Sequence, residues 1–199
     1  MIYGLTGVHR CGKTYLAETL AAQYDLEFQP SVIRMSFEQH GLLPDQILTW
    51  EQRFAVQNTA LDNLDAAITT WEGLSCPVVF DRTPIDLVSY LLTTMVEEGG
   101  FEHEDSNAYI ARARELTDRF TSILVVQPHP DLEFADEPYK GRKEAQHMRL
   151  LDTTMTTMAS LRGHPVLSSK IPLEARADEA AQLLGLHKLQ GGYNANSRS

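Results

Sequence analysis

Gly7-Val8-His9-Arg10-Cys11-Gly12-Lys13-Thr14 fits the spacing G-x-x-x-x-G-K-[ST]. That spacing suits one kind of chemistry, the cradling of phosphate. Glycines let the backbone curl until successive N–H groups face one anion, and the start of the following helix adds its partial positive charge. Lys13 would reach the terminal phosphates and the Thr14 hydroxyl would ligate Mg²⁺. Cys11 needs only to be small, while His9 and Arg10 are open: Arg10 faces either phosphate or substrate, or else solvent. A second cluster is Phe80-Asp81-Arg82-Thr83-Pro84-Ile85-Asp86. Asp81 could hold Mg²⁺ or accept a proton from an attacking hydroxyl, and Arg82 could clamp a phosphate or hydroxyl. Asp86 reads instead as a cap on the next helix. A third cluster is basic: Lys140 to Arg149 carries four Lys/Arg and one acid.

These residues need a scaffold that brings them together. Ile2 to Thr6 is a strand-sized apolar run that ends at Gly7, and Lys13 to Tyr24 repeats apolar residues at helical spacing. Leu26 to Gln29, Pro77 to Asp81, Ile123 to Gln127 and Pro165 to Ser169 read as further strands. Helices are expected from Pro44-Asp45 to Trp71, from Pro84 to about Val96, from Ala108 to Phe120, from Gly141 to Arg162 and from Leu173 to Leu184. Strand and helix alternate throughout, the pattern of a parallel sheet covered by helices on both faces. Asp81 and Arg82 would then emerge beside the phosphate loop at the carboxyl edge of the sheet, where open α/β sheets bind ligands.

Length and charge narrow the function. The chain has 199 residues, 17 Lys+Arg, 27 Asp+Glu and a formal charge of −10. It is expected to form one α/β domain over residues 1–186, followed by a flexible tail over 187–199. The acidic balance disfavours gripping duplex nucleic acid or an anionic membrane. Two cysteines without paired spacing point to a reducing, cytoplasmic setting rather than a disulfide framework. The start of the chain reads as a first strand rather than a leader. An acidic run, Glu97 to Asp105, reads as a solvated surface loop.

GVHRCGKT, FDRTPIDLVSY and the basic segment together resemble the P-loop nucleoside and nucleotide kinase superfamily, within it the nicotinamide-riboside-kinase-like group of AAA-type ATPase domains. The second motif resembles the Asp-Arg motif of thymidylate and deoxynucleoside kinases. The resemblance implies a P-loop three-layer sandwich with a five-stranded parallel sheet in the order 2-3-1-4-5 and a helical lid. It implies ATP and Mg²⁺ as cofactors and a small nucleoside- or nucleotide-like acceptor as partner; a homodimer is compatible with it. The phosphate loop from Gly7 to Thr14, including Val8, His9, Arg10, Cys11, Gly12 and Lys13, would hold ATP, with Arg176 against adenine. Thr14 and Asp81 would hold the metal. Arg82 would contact the acceptor, and Arg142 and Arg149, at i and i+7 on one helix face, would stabilise the transferring phosphoryl group alongside Lys13. Phe54-Ala55-Val56-Gln57 resembles the Phe-x-x-Gln that reads a base edge, which makes Gln57 a candidate reader and Trp50 and Phe54 candidates for stacking. Arg34 would face the same pocket. In that group a glutamate stands three residues before this arginine; here the position is Ser31, which leaves Asp81 as the acceptor-side carboxylate.

Two other readings remain open on the residues. A P-loop switch acting on a protein partner would use Asp81 as a metal holder. A kinase of a modified base in DNA would use the same site after base flipping.

Overall fold

The structure is a computed structural model describing residues 1–44, 46–74, 76–98, 104–129, 138–139 and 142–187, with side chains for all of these except 97, 98, 104, 138, 139 and 142–145. Its centre is β1 (Ile2–Thr6), whose five residues are all buried. A strand covered on both faces must be apolar throughout, and Ile2 to Leu5 meet that need. β1 pairs in parallel with β3 (Val78–Asp81) on one side and β4 (Ser122–Val126) on the other. β2 (Glu27–Gln29) and β7 (Val166–Leu167) complete a five-stranded sheet in the order β2-β3-β1-β4-β7. Numbered along the sheet strands alone, that is the expected order 2-3-1-4-5.

Helices cover both faces. They are α1 (Lys13–Tyr24), α2 (Ile33–Gln39), α3 (Trp50–Glu72), α4 (Pro84–Glu98), α5 (Glu104–Thr117), α6 (Glu144–Leu161) and α7 (Arg176–Leu184), the last entered through a short 3-10 turn, Leu173–Ala175. Core side chains come from sheet and helices alike, among them Leu5, Leu20, Leu61, Ile68, Phe80, Leu91, Ile123 and Leu151, each at most 1% exposed. Phe80 meets Phe120 edge-on, with ring centroids 5.4 Å apart. No helix among the described residues is long and apolar enough to cross a membrane.

Three local readings change. The helix expected from Pro44 begins at Trp50, because Thr49 and Gln52 form a reciprocal capping box there. Ahead of it lies α2, held by Ser36, whose hydroxyl bonds the Val32 carbonyl. The helix expected from Gly141 begins at Glu144, because β5 (Pro138–Tyr139) and β6 (Arg142–Lys143) pair antiparallel, Tyr139 opposite Arg142. Arg142 therefore lies on a strand and Arg149 on a helix, so they do not share one helix face. Helix α5 takes in Glu104 and Asp105, and α4 takes in Glu97 and Glu98, so the acidic run is helical at both ends. Residues 99–103, the acidic stretch 131–137 and the tail from 188 onward lie outside the described residues.

Candidate functional site

The parallel register aligns the carboxyl ends of β1, β3 and β4. Leu5 stands opposite Asp81 on one side and Leu124 on the other. The loop after β1, the turn after β3 and Gln127 after β4 therefore share one edge. Gly7 is required there: a Cβ at that position would lie 2.5 Å from the Val126 carbonyl oxygen and 3.0 Å from Cys11 Sγ. Gly12 enters α1 at φ 87°, in the left-handed region that glycine adopts without strain.

Within this loop Val8 and Cys11 point inward, while Arg10 is exposed with φ 62°. Lys13 is only 5% exposed, and its Nζ donates to the Val8 carbonyl at 2.7 Å. Burial holds its pKa below the usual lysine value, the Arg82 charge adds to that, and Cys11, Asp86 and Asp81 oppose it. An anionic ligand would oppose that shift and favour the charged form. Next to it, the Thr14 hydroxyl donates to Asp81 Oδ2 at 2.6 Å. Asp81 Oδ1 is buried and has no hydrogen-bond partner among the described residues. A buried carboxylate oxygen in that condition is costly unless a cation, a bound water or a substrate hydroxyl meets it. The pair thus fits Mg²⁺, which takes one or two protein oxygens plus phosphate oxygens and water. No cluster of three or more His, Cys, Asp or Glu that could cage a metal exists among the described residues. His9, Arg10, Gly12, Lys13, Thr14, Tyr15, Asp81 and Arg82 together line a cleft of about 420 Å³.

Arg82 follows Asp81 with φ 98°, an unfavourable backbone state that the surroundings must hold in place. They do so from both ends. Its backbone N–H donates to the Leu5 carbonyl at 3.0 Å, and its Nη1 donates to Asp86 Oδ1 at 3.1 Å and Tyr90 Oη at 2.7 Å. Burial opposes the charge on Arg82, but Tyr90, Asp86 and Asp81 outweigh it and raise the pKa above the usual arginine value. Asp86 itself is fully buried. Its Oδ2 accepts from the Thr83 backbone at 2.9 Å, which is the helix cap expected from sequence, and its Oδ1 also accepts from the Gly7 backbone at 3.3 Å. The cap thus ties the phosphate loop to Arg82. Tyr90, not among the candidate residues, sits one helical turn beyond Asp86; its signals in the sequence are that spacing and its place at the end of FDRTPIDLVSY.

Beside the cleft lies a second cavity of about 90 Å³, lined by His9, Phe37, Arg53, Gln57, Tyr90 and His147 among others. Gln57 is where the sequence placed it. Its Oε1 accepts from Tyr109 at 3.0 Å, and its Nε2 makes no hydrogen bond among the described residues. Burial raises the Tyr109 hydroxyl pKa well above its usual value, so the phenol stays protonated and fixes the amide. Trp50 and Phe54 stack on each other, centroids 5.7 Å apart, and Phe54 also meets Tyr109. Neither is among the described residues lining the cavity. Phe37 of α2 and Tyr90 of α4 are aromatic residues in its wall. Arg34, one turn away, is 86% exposed at its side chain and pairs with Glu38, directed away from the cavity. Arg149 is exposed on α6, and the Arg142 side chain lies outside the described set. Arg176, by contrast, is 5% exposed beneath the loop edge. Its Nη2 donates to the Gln127 carbonyl at 2.6 Å, and its Nη1 is buried without a hydrogen-bond partner among the described residues. Burial lowers its pKa, while nearby Cys11 opposes the shift.

A family model described as an AAA domain matches residues 3–176. The chain belongs to this AAA-domain family. No curated protein matches the sequence. Among solved structures, deoxyadenosine kinase from M. mycoides with the products dCMP and dCDP superposes with a TM-score of 0.66 at 14% identity, over 93% of this chain and 99% of that one. The same enzyme with bound dATP gives 0.63. NadR in complex with NAD and AMP-PNP gives 0.63 at 15% identity, over 96% of this chain and 51% of NadR. The chain therefore spans about half of NadR. At these identities the likeness shows the fold, that of the P-loop nucleoside and nucleotide kinases, and this AAA-domain chain carries it along most of its length.

Proposed function

We propose that this protein is an ATP- and Mg²⁺-dependent phosphotransferase whose acceptor is a small nucleoside- or nucleotide-like molecule. The observation that carries the reading is the pairing of two adjacent cavities that share His9, with Asp81 and Arg82 at the end of the strand beside them. A nucleotide switch needs the first cavity; the second is what an acceptor would occupy. The nucleotides bound in the fold neighbours support the same reading.

The loop amides and Lys13 would bind the triphosphate, and Arg176 would offer its unpartnered Nη1 to the nucleotide. Thr14 and Asp81 would hold Mg²⁺, which neutralises charge on the phosphates when bound. Asp81 Oδ1 would accept the hydrogen of the acceptor hydroxyl as the hydroxyl oxygen bonds the γ-phosphorus and the bond from that phosphorus to the departing ADP oxygen breaks. Arg82 would clamp the acceptor, Gln57 would donate Nε2 to its base edge, and Arg142 and Arg149 would meet charge on the transferring group. The test is transfer of labelled γ-phosphate from ATP across nucleosides, deoxynucleotides and nicotinamide riboside. Labelling of one acceptor class is expected. ATP binding without labelling of any of them, or hydrolysis that responds only to a protein, contradicts the reading.

A further inference from the structure

Three side chains from three elements meet between the two cavities: His9 of the loop, Arg82 after β3 and Tyr90 of α4. Arg82 Nη2 lies 3.1 Å from His9 Nδ1. A guanidinium has no lone pair to offer, so only an unprotonated Nδ1 completes that bond. The proton of the neutral ring then resides on Nε2, which lies 3.0 Å from Tyr90 Oη and donates to it. Tyr90 Oη also accepts from Arg82 Nη1, and the guanidinium carbon stands 5.4 Å from the Tyr90 ring centroid.

These bonds close a circuit. The Gly7 amide and Arg82 Nη1 both donate to Asp86 Oδ1, Arg82 Nη2 donates to His9, and His9 returns along the loop to Gly7. A change of loop shape is therefore felt at Arg82, and a change at Arg82 is felt at the loop. His9 also forms part of the wall of both cavities.

We propose that His9 is a positioning residue, holding Arg82 and Tyr90 at the junction so that nucleotide in the loop and acceptor in the cavity act on each other through one imidazole. The role rests on the phosphotransferase reading of the two cavities. It asks of His9 no bond to a reacting atom. A second proton, on Nδ1, would place two cations 3.1 Å apart and open the circuit. Among the described residues, the charged and titratable groups around the ring include Arg82 after β3 and Tyr90 of α4, which bond it, Asp81, which lines the same cleft, and Asp86 behind Arg82. Lys13 and Arg10 share its loop, and Arg53 and His147 line the shared cavity from α3 and α6.

The experiment compares wild type, His9→Ala and His9→Asn with the best acceptor of the panel above. Losing a hydrogen bond to a charged group is expected to raise the acceptor KM of His9→Ala at least about 10-fold, and, because coupling between two sites is reciprocal, the ATP KM measured at saturating acceptor rises with it. The mutual enhancement of AMP-PNP and acceptor binding is expected to vanish in that variant. His9→Asn, whose Oδ1 can accept from Arg82 and which does not titrate, is expected to recover most of the acceptor KM and to lack the acid limb of the wild-type pH profile. Ring ¹⁵N shifts of His9 in the wild type are expected to report a proton on Nε2 and none on Nδ1 near neutral pH. A ring protonated on Nδ1, or a His9→Ala protein with unchanged acceptor KM and acid limb, overturns the role while transfer itself stands. A wild type that binds AMP-PNP and phosphorylates nothing overturns the phosphotransferase reading and this role with it.

Discussion

The phosphate cleft and the cavity beside it are built in opposite ways. The cleft comes mostly from one segment, His9 to Tyr15, joined by Asp81 at the end of the neighbouring strand and Arg82 just after it. The cavity is assembled from scattered residues of the loop and four helices, among them His9, Phe37 of α2, Gln57 of α3, Tyr90 of α4 and His147 of α6. The first depends on backbone shape, which local sequence dictates; the second depends on how helices pack. A substitution in the cleft should therefore damage transfer for every acceptor, and one in the cavity should damage it selectively.

The largest effect is expected from Lys13→Ala. Removing a cation from a buried phosphate site should lower kcat/KM about 1000-fold or more for all acceptors, measured by initial rates. Selectivity among acceptors that changed with this variant would break the contrast between the two regions. Asp86→Ala comes next, and its effect is on folding. It leaves the Arg82 guanidinium and two backbone amides without their shared carboxylate, so denaturant unfolding should show a loss of about 3–5 kcal/mol. A loss below about 1 kcal/mol would mean that the circuit through Asp86 does not hold Arg82 in its strained conformation.

Gln57→Leu sharpens the comparison from the cavity side. It keeps volume and removes the amide, so the acceptor KM should rise about 10-fold while the ATP KM stays within about 2-fold. A change in ATP KM of the same size would show that Gln57 does not belong to a separate acceptor pocket. The smallest effect is expected from Arg34→Ala. Its side chain is exposed and paired only along its own helix, so stability should move by no more than about 0.5 kcal/mol and kinetics should be unaltered. An acceptor KM that rose in this variant would return Arg34 to the cavity.

The same contrast explains what the sequence makes legible. Strand-loop-helix alternation fixes the sheet, and the glycine spacing with Lys13 and Thr14 fixes the loop, because both are local rules. Asp81 is legible since it ends an apolar strand that must lie next to β1. Tyr90 and Phe37 are not, because what makes them useful is the approach of α4 and α2 to the loop; Tyr90 only closes the FDRTPIDLVSY segment, and Phe37 lies in no motif. Arg34 and Phe54 show the reverse. They lie within a turn of residues that line the cavity, yet the helices turn them elsewhere. The basic segment misled for a local reason, as the strand pairing of Tyr139 with Arg142 delays α6 until Glu144 and separates Arg142 from Arg149.

The most direct test of the whole account is Asp81→Asn, followed by label transfer from γ-labelled ATP to the best acceptor, with AMP-PNP affinity measured in parallel. The amide keeps the size of the carboxylate and its contact with Thr14, and it cannot take a proton from the acceptor hydroxyl. The expected result is transfer reduced about 100- to 1000-fold with AMP-PNP affinity lowered much less. Transfer at the wild-type rate in this variant, or label passing only to water in the wild type, would contradict it.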